Sequence, residues 1–342
     1  MQMTTVTRWI DEKNSSLATV ENLLDSEHPD EISENGNQYL NWKIQKMFDS
    51  DKTDTFYDRS ITYNYYTFSV DQIPSGAETI DDGMYRKNGF VIVYLDSGKV
   101  RYIISRNTYA QTFLRKMLFY TGRGEIVASA LNFTGDIFVW LISKVYEKDN
   151  IFSSENEALG DLTIDSIKGF KGDTEDFLAK VSVSGESVMN IISTLSFLVE
   201  SRNLNQITIA LSYLKHSNIE ISLNNRNTLG FNDEEYLGEL MQKKHEDLVA
   251  FCLLLLYTEI LPIILQKYQS DIDSNFWGQG KCVSFLERVA DDLSEKVSAR
   301  INDLNAKPEQ LKMRMTHENE LESDNKEKAL ELIDEVIKEA KK

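Results

Sequence analysis

Residues 90–95 and 100–105 are two runs rich in Val, Ile, Leu and Tyr, joined by Asp96-Ser97-Gly98-Lys99. β-Branched and aromatic residues on both sides of a short glycine-containing turn specify a hairpin. At least this part of the chain therefore has to be antiparallel sheet. Residues 206–214 and 219–223 repeat the pattern around a turn at 215–218. Residues 60–70, 162–170 and 178–183 have strand composition, and the shorter segments 124–131 and 228–231 fit strands as well.

Stretches of helical period lie between them. Residues 4–24 carry Val6, Trp9, Ile10, Leu17, Val20, Leu23 and Leu24 largely at three-to-four spacing, which predicts a helix. Residues 38–47 predict a short second helix, with polar loops at 25–37 and 49–54. Residues 73–89, with Pro74, Gly76 and Gly83, read as a loop. A helix over 108–120 has Asn107 or Thr108 to cap it and Gly122 to stop it. Residues 134–146 and 187–200 are apolar enough for packed helices, the second capped by Ser184 or Gly185 with Glu186 in its first turn.

From Asp233 the chain reads as helical to about Tyr268, with Glu234 and Glu235 at the favourable N-terminal end and a kink at Pro262. A further helix over 283–304 has the apolar stripe Leu286, Ala290, Leu293, Val297 and Leu304. The expected fold class is α+β: two hairpin-containing α+β units followed by a mostly helical C-terminal region. The expected divisions are an N-terminal helical segment (1–54), a first α+β unit with a basic hairpin and helix (55–150), a second α+β unit (151–231), C-terminal helices (232–306) and a charged helical tail (307–342).

The chain has 342 residues, 41% hydrophobic, which is ample for a sizeable core. Its formal net charge of −18 excludes indiscriminate binding of polyanions, because such binding needs many Lys and Arg to neutralise phosphates. A local basic site remains compatible with it. Residues 248–265 are apolar apart from Glu259 and contain Pro262; they read as a buried core helix and not as a membrane span. Cys252 and Cys282 read as free thiols, and residues 1–11 lack the basic flank and apolar run of a signal peptide. A soluble cytoplasmic protein with no membrane association is expected.

His28, His216, His245 and His317 share no metal-ligand spacing with one another or with a cysteine, so neither a metal nor a cofactor is expected. There is no phosphate-cradling glycine run before Lys-Ser or Lys-Thr, and no Gly-x-Ser-x-Gly elbow. The segment from Lys168 through Gly169, Lys171 and Gly172 either approaches an anion through its backbone or simply ends a strand. The weak catalytic candidates are Asp165, Asp173, Glu175 and Asp176, which with Lys168 are the residue types of a metal-dependent nuclease or nucleotide-processing enzyme. Three apart on a regular strand means opposite faces, so Asp165 and Lys168 converge only if a bulge intervenes.

The most suggestive feature is a basic island. Lys99, Arg101, Arg106, Arg115, Lys116 and Arg123 occur with no acid between Ser97 and Gly124, and Tyr102, Tyr109, Phe119 and Tyr120 are interleaved. A hairpin and the helix after it can gather such charges into an anion-binding or nucleic-acid-binding surface. Alternatively, Arg115 and Lys116 form the solvated face of a core helix while Arg101 pairs with a neighbouring strand. The apolar C-terminal helices call for a second copy or a partner protein. The expected function is a non-catalytic interaction or assembly protein with a local anion- or nucleic-acid-binding surface. In general style the chain resembles accessory subunits of bacterial and mobile-element systems, antiviral ones included, although no motif carries that likeness.

Overall fold

The computed structural model describes residues 3–32, 36–56, 59–76, 83–106, 108–129, 131–153, 160–173, 180–184, 196, 198–199 and 203–303. The first of them already correct the expectation of a helix. Thr4–Asp11 form strand β1, and only Leu17–Leu24 (α1) are helical, with the Ser16 hydroxyl accepting from the Thr19 amide as N-cap. The β-branched run Thr4-Thr5-Val6-Thr7 favours extended backbone, and partners far along the chain supply the pairing.

Fourteen more strands follow among the described residues. They are β2 (Glu31–Ile32), β3 (Gln38–Lys46), β4 (Lys52–Phe56), β5 (Arg59–Ile73), β6 (Tyr85–Asp96), β7 (Lys99–Ile104), β8 (Ile126–Ala128), β9 (Ile151–Phe152), β10 (Leu162–Asp173), β11 (Lys180–Ser184), β12 (Asn203–Tyr213), β13 (His216–Asn224), β14 (Leu229–Asn232) and β15 (Leu237–Gly238). The helices after α1 are α2 (Ala110–Met117), α3 (Gly135–Tyr146), α4 (His245–Leu255) and α5 (Leu261–Asp273), the last two joined by a π-helical turn at Leu256–Ile260. A further helix spans 279–303. The α+β class holds.

All strand pairs are antiparallel, in the order β11-β10-β12-β13-β14-β1-β7-β6-β5-β3-β2. The hinge of this sheet is β1. Its first residues, Thr4 to Val6, pair with β14; Thr7 to Ile10 pair with β7 on the other side. Residues Met1–Ser284 make one compact unit and Phe285–Lys342 another, of which 285–303 are described as helix. The divisions expected at 54, 150 and 231 fall inside the first unit.

Four further segments differ from expectation. Residues 38–46 are β3, paired with β5, and not a helix; Asn41 adopts φ 55° where the register shifts between Leu40 and Lys43. That bulge puts Tyr39, Trp42 and Ile44 on one core face with helix-like spacing. Part of the expected 49–54 loop belongs to β4, and β6 begins at Tyr85 inside the expected 73–89 loop. The long helix starts at His245 and not at Asp233; the intervening chain forms β15 and turns. The hairpins are where the sequence puts them. Asp96 pairs with Lys99 around Ser97 (φ 53°) and Gly98 (φ 74°), the two left-handed residues of a type I′ turn. The second hairpin closes at Tyr213 and His216, so its second strand begins three residues before the expected 219.

Strands β5, β6 and β7 are buried on both faces. Tyr66, Phe68, Val70, Val91, Val93, Val100, Tyr102 and Ile104 share a core with α1 and α2. The alternate residues Tyr63, Tyr65, Ile92, Tyr94 and Ile103 are buried as well. The α4–α5 rod touches both halves of the sheet: the Phe251 ring lies 5.1 Å from Phe56 of β4 and 5.4 Å from His216 of β13. By length and composition His245–Asp273 is apolar enough to cross a membrane, and 72% of its most apolar stretch is buried inside the protein.

Candidate anion-binding cleft

The structure disperses the six basic residues. Lys99 pairs with Glu12 at 3.0 Å and Lys116 with Glu31 at 2.6 Å, the latter ammonium also lying 4.4 Å over the Tyr39 ring. Arg101 meets Asp96 at 3.3 Å, beside Arg59. Arg115 donates to the Thr121 carbonyl, and exposed Arg123 contributes its carbonyl oxygen to Gln111 at 3.0 Å. Three of the six are thus satisfied by carboxylates of the chain itself; of these only Lys99–Glu12 is exposed on both sides, and an exposed pair of this kind contributes ~1 kcal/mol or less.

Arg106 differs. It follows β7 and stacks over Phe113 at 5.0 Å and Phe68 at 5.8 Å, while its Nη2 donates to the Asn88 carbonyl at 2.8 Å. Its buried Nε has no hydrogen-bond partner, and no described carboxylate pairs with it. Burial holds its pKa below the ordinary arginine value, and nothing opposes that effect. The group still remains charged at neutral pH. Its seat depends on Gly89, which lies opposite Phe68 in the β5–β6 ladder. A Cβ on Gly89 would sit 2.7 Å from the Phe68 ring, so only glycine lets that ring lie against β6.

Arg106 lines an open cleft of about 780 Å³. One wall comes from Met3, Thr4 and Thr5 at the start of β1 and another from Lys87, Asn88 and Phe90 of β6. Ser105, Thr108, Tyr109 and Phe113 complete it, with Gln72 of β5. Lys87 adds a second cation, and no carboxylate occurs among the described lining residues. Tyr109 opens α2 with a left-handed φ of 62° and no side-chain cap, and the residue is 64% exposed. The expected caps, Asn107 or Thr108, precede that position.

The carboxylate candidates fall elsewhere. Asp165 is the extra residue of a bulge between Ile164 and Ser166, and Lys168 that of a second bulge between Ile167 and Gly169. Two bulges in succession bury Ile164, Ile167 and Phe170 at three-residue spacing. Asp165 and Lys168 are therefore left on the same outward face. Asp165 accepts from Ser212 Oγ at 2.6 Å. Asp173 ends β10, while Glu175 and Asp176 lie outside the described residues, as does most of the helix expected over 187–200. No group of three or more His, Cys, Asp or Glu placed to hold a metal ion occurs among the described residues.

Other buried polar groups brace the fold. Asp11 accepts from the hydroxyls of Tyr102 and Tyr120 at 2.5 and 2.7 Å. His216 shares a 2.5 Å bond with Tyr236, and Cys252 is a buried free thiol whose pKa burial raises strongly. Sequence reasoning named Arg106 and Tyr109 within the basic island but missed Lys87, Gln72 and Asn88. Lys87 and Asn88 were hidden in a segment that reads as loop. Neither a protein-family model nor a curated protein matches this chain.

Proposed function

We infer that this is a non-catalytic interaction protein, cytoplasmic, that captures an anionic partner in the Arg106 cleft. The two hairpin-bearing halves of the sheet serve as its platform. One observation carries the reading: a partly buried guanidinium, held by aromatic rings and a carbonyl, lines a cleft in which no described carboxylate neutralises it. Burying an uncompensated charge is costly, and an anion entering the cleft would offset that cost. Assembly with a second copy or a partner runs through the 279–303 helix, where Val283, Val297 and Ile301 are exposed apolar residues.

The test is calorimetric titration of the full chain with pyrophosphate. Binding is expected to weaken with added salt, to vanish in Arg106→Glu and to persist in Arg115→Glu. Equal binding by wild type and Arg106→Glu would overturn the reading. A second reading, a metal-dependent nuclease or nucleotide-processing enzyme using Asp165, Asp173, Glu175 and Asp176, has one observation in its favour: the double bulge that turns Asp165 and Lys168 to one face. It requires magnesium-dependent turnover that disappears in both Asp165→Ala and Asp173→Ala.

A further inference from the structure

We propose that the cleft takes a nucleoside phosphate, a small ligand that joins a phosphate to a flat heterocycle. The proposal rests on the anion-binding reading and names the ligand class of the same site. Size comes first. At about 780 Å³ the cleft matches sites for compact organic ligands and exceeds what a lone phosphate fills. The second argument is the form of the cation. A guanidinium held over Phe113 and Phe68 and by the Asn88 carbonyl is a pre-positioned donor for phosphate oxygens, and Lys87 adds a point charge from β6.

The third argument is what lies beside the cations. Tyr109, largely exposed, presents its ring from a left-handed backbone that aromatic residues rarely adopt, and it lines the same cleft. A nucleobase has a π face that stacks on such a ring, and ring-stacked bases gain affinity without sequence readout. The carboxamides of Gln72 and Asn88 in the lining suit the donor and acceptor edges of a base or sugar. A long nucleic acid is disfavoured by the net charge of −18, which on the whole repels a polyanion.

The experiment titrates the full chain with the four nucleoside monophosphates, one unphosphorylated nucleoside, inorganic phosphate and a ten-nucleotide single strand, with thermal melts confirming that each variant folds. At least one monophosphate is expected to bind about ten-fold tighter than either phosphate or nucleoside. Tyr109→Ala should lower nucleotide affinity at least about five-fold and leave phosphate affinity unchanged. Arg106→Lys, which keeps the charge but not the guanidinium, should weaken both. If phosphate binds as tightly as every nucleotide and Tyr109→Ala changes nothing, the nucleoside assignment falls while the anion cleft stands. If neither phosphate nor nucleotide binds, both fall. If affinity climbs from the monophosphates to the ten-nucleotide strand, the occupant is single-stranded nucleic acid and the proposal is overturned.

Discussion

Arg8 Nη1 donates to the carbonyl oxygen of Tyr257 at 3.1 Å, across 249 residues of chain. The reason lies in the helix. In the π-helical turn the Leu261 amide bonds to Leu256, which removes the donor that Tyr257 would have in an α-helix. The next amide along is missing because residue 262 is proline, and the same absence orphans the Thr258 carbonyl. Arg59 Nη2 takes that second oxygen at 3.0 Å. Two arginines of the sheet thus satisfy two carbonyls that Pro262 and the π turn leave open, and they tie the long helix to β1 and β5. Arg8 also lies 4.9 Å over the Tyr257 ring.

Arg8→Ala is accordingly expected to destabilise the protein by about 2 kcal/mol, from a lost charged hydrogen bond to a buried carbonyl and a lost cation–π contact. Arg59→Ala should cost less, about 1 kcal/mol, because its side chain is 43% exposed. Pro262→Ala returns an amide to the helix, so the cost of Arg59→Ala should shrink in that background. Urea midpoints of the double-mutant cycle measure the coupling; strict additivity would show that the proline does not create the demand for Arg59.

The β6–β7 turn sets a second expectation. Ser97 holds φ 53°, a conformation that Asn or Gly adopts more readily, and Gly98 holds φ 74°. Ser97→Asn should stabilise by about 0.5 kcal/mol, and Gly98→Val should destabilise by about 1 kcal/mol or more. Thermal melts decide the signs, and a stabilising Gly98→Val would contradict the type I′ geometry.

His216 makes stability depend on pH. Burial is the largest influence and holds the imidazole pKa below its ordinary 6.5, with Lys215 lowering it and Glu239 raising it. The unfolded chain therefore takes up this proton at higher pH than the folded one. Stability is full above pH 6.5 and declines as the pH falls from there toward the folded value. His216→Phe should flatten the slope of melting temperature against pH just below pH 6.5; an unchanged slope would assign that window to other groups.

Asp271 anchors a buried cluster at α5. It accepts from Lys144 at 2.7 Å, Lys267 at 2.9 Å and Trp140 Nε1 at 3.0 Å. Burial alone would raise its pKa, but the bonds from Lys144, Lys267 and Trp140 together hold the carboxyl below the usual 3.8. Its contribution is present above that value and lost as the pH falls through the lower folded value. Asp271→Asn leaves Lys144 only its exposed partner Asp149, at 2.6 Å, and should cost about 2 kcal/mol at neutral pH. A variant as stable as wild type in urea would sink this account.

The local features were legible in the sequence. A glycine turn between β-branched runs is decided within a dozen residues, so both hairpins could be read directly, as could α3 and the apolar core of α4–α5. The site was legible in part: Arg106 and Tyr109 stood out as members of an acid-free stretch, but nothing in that stretch separated Arg106 from its five neighbours. That distinction came from Glu12 and Glu31, which reach Lys99 and Lys116 from distant parts of the chain, and from Asp96, which meets Arg101 within the same hairpin.

Bulges explain much of what was misread. An extra residue at Asn41 sets Tyr39 and Trp42 three apart on one face, and the two bulges in β10 do the same for Ile164, Ile167 and Phe170. Such spacing imitates a helix or sends Asp165 and Lys168 to the wrong faces on paper. By itself the sequence determined the α+β class, the turns and the charge pattern, because these depend on neighbours along the chain. Only the tertiary structure decided that β1 joins both halves of the sheet and that Arg8 serves Tyr257. It also decided that Arg106 lines a cleft, because each of these rests on contacts between segments that the chain alone does not bring together.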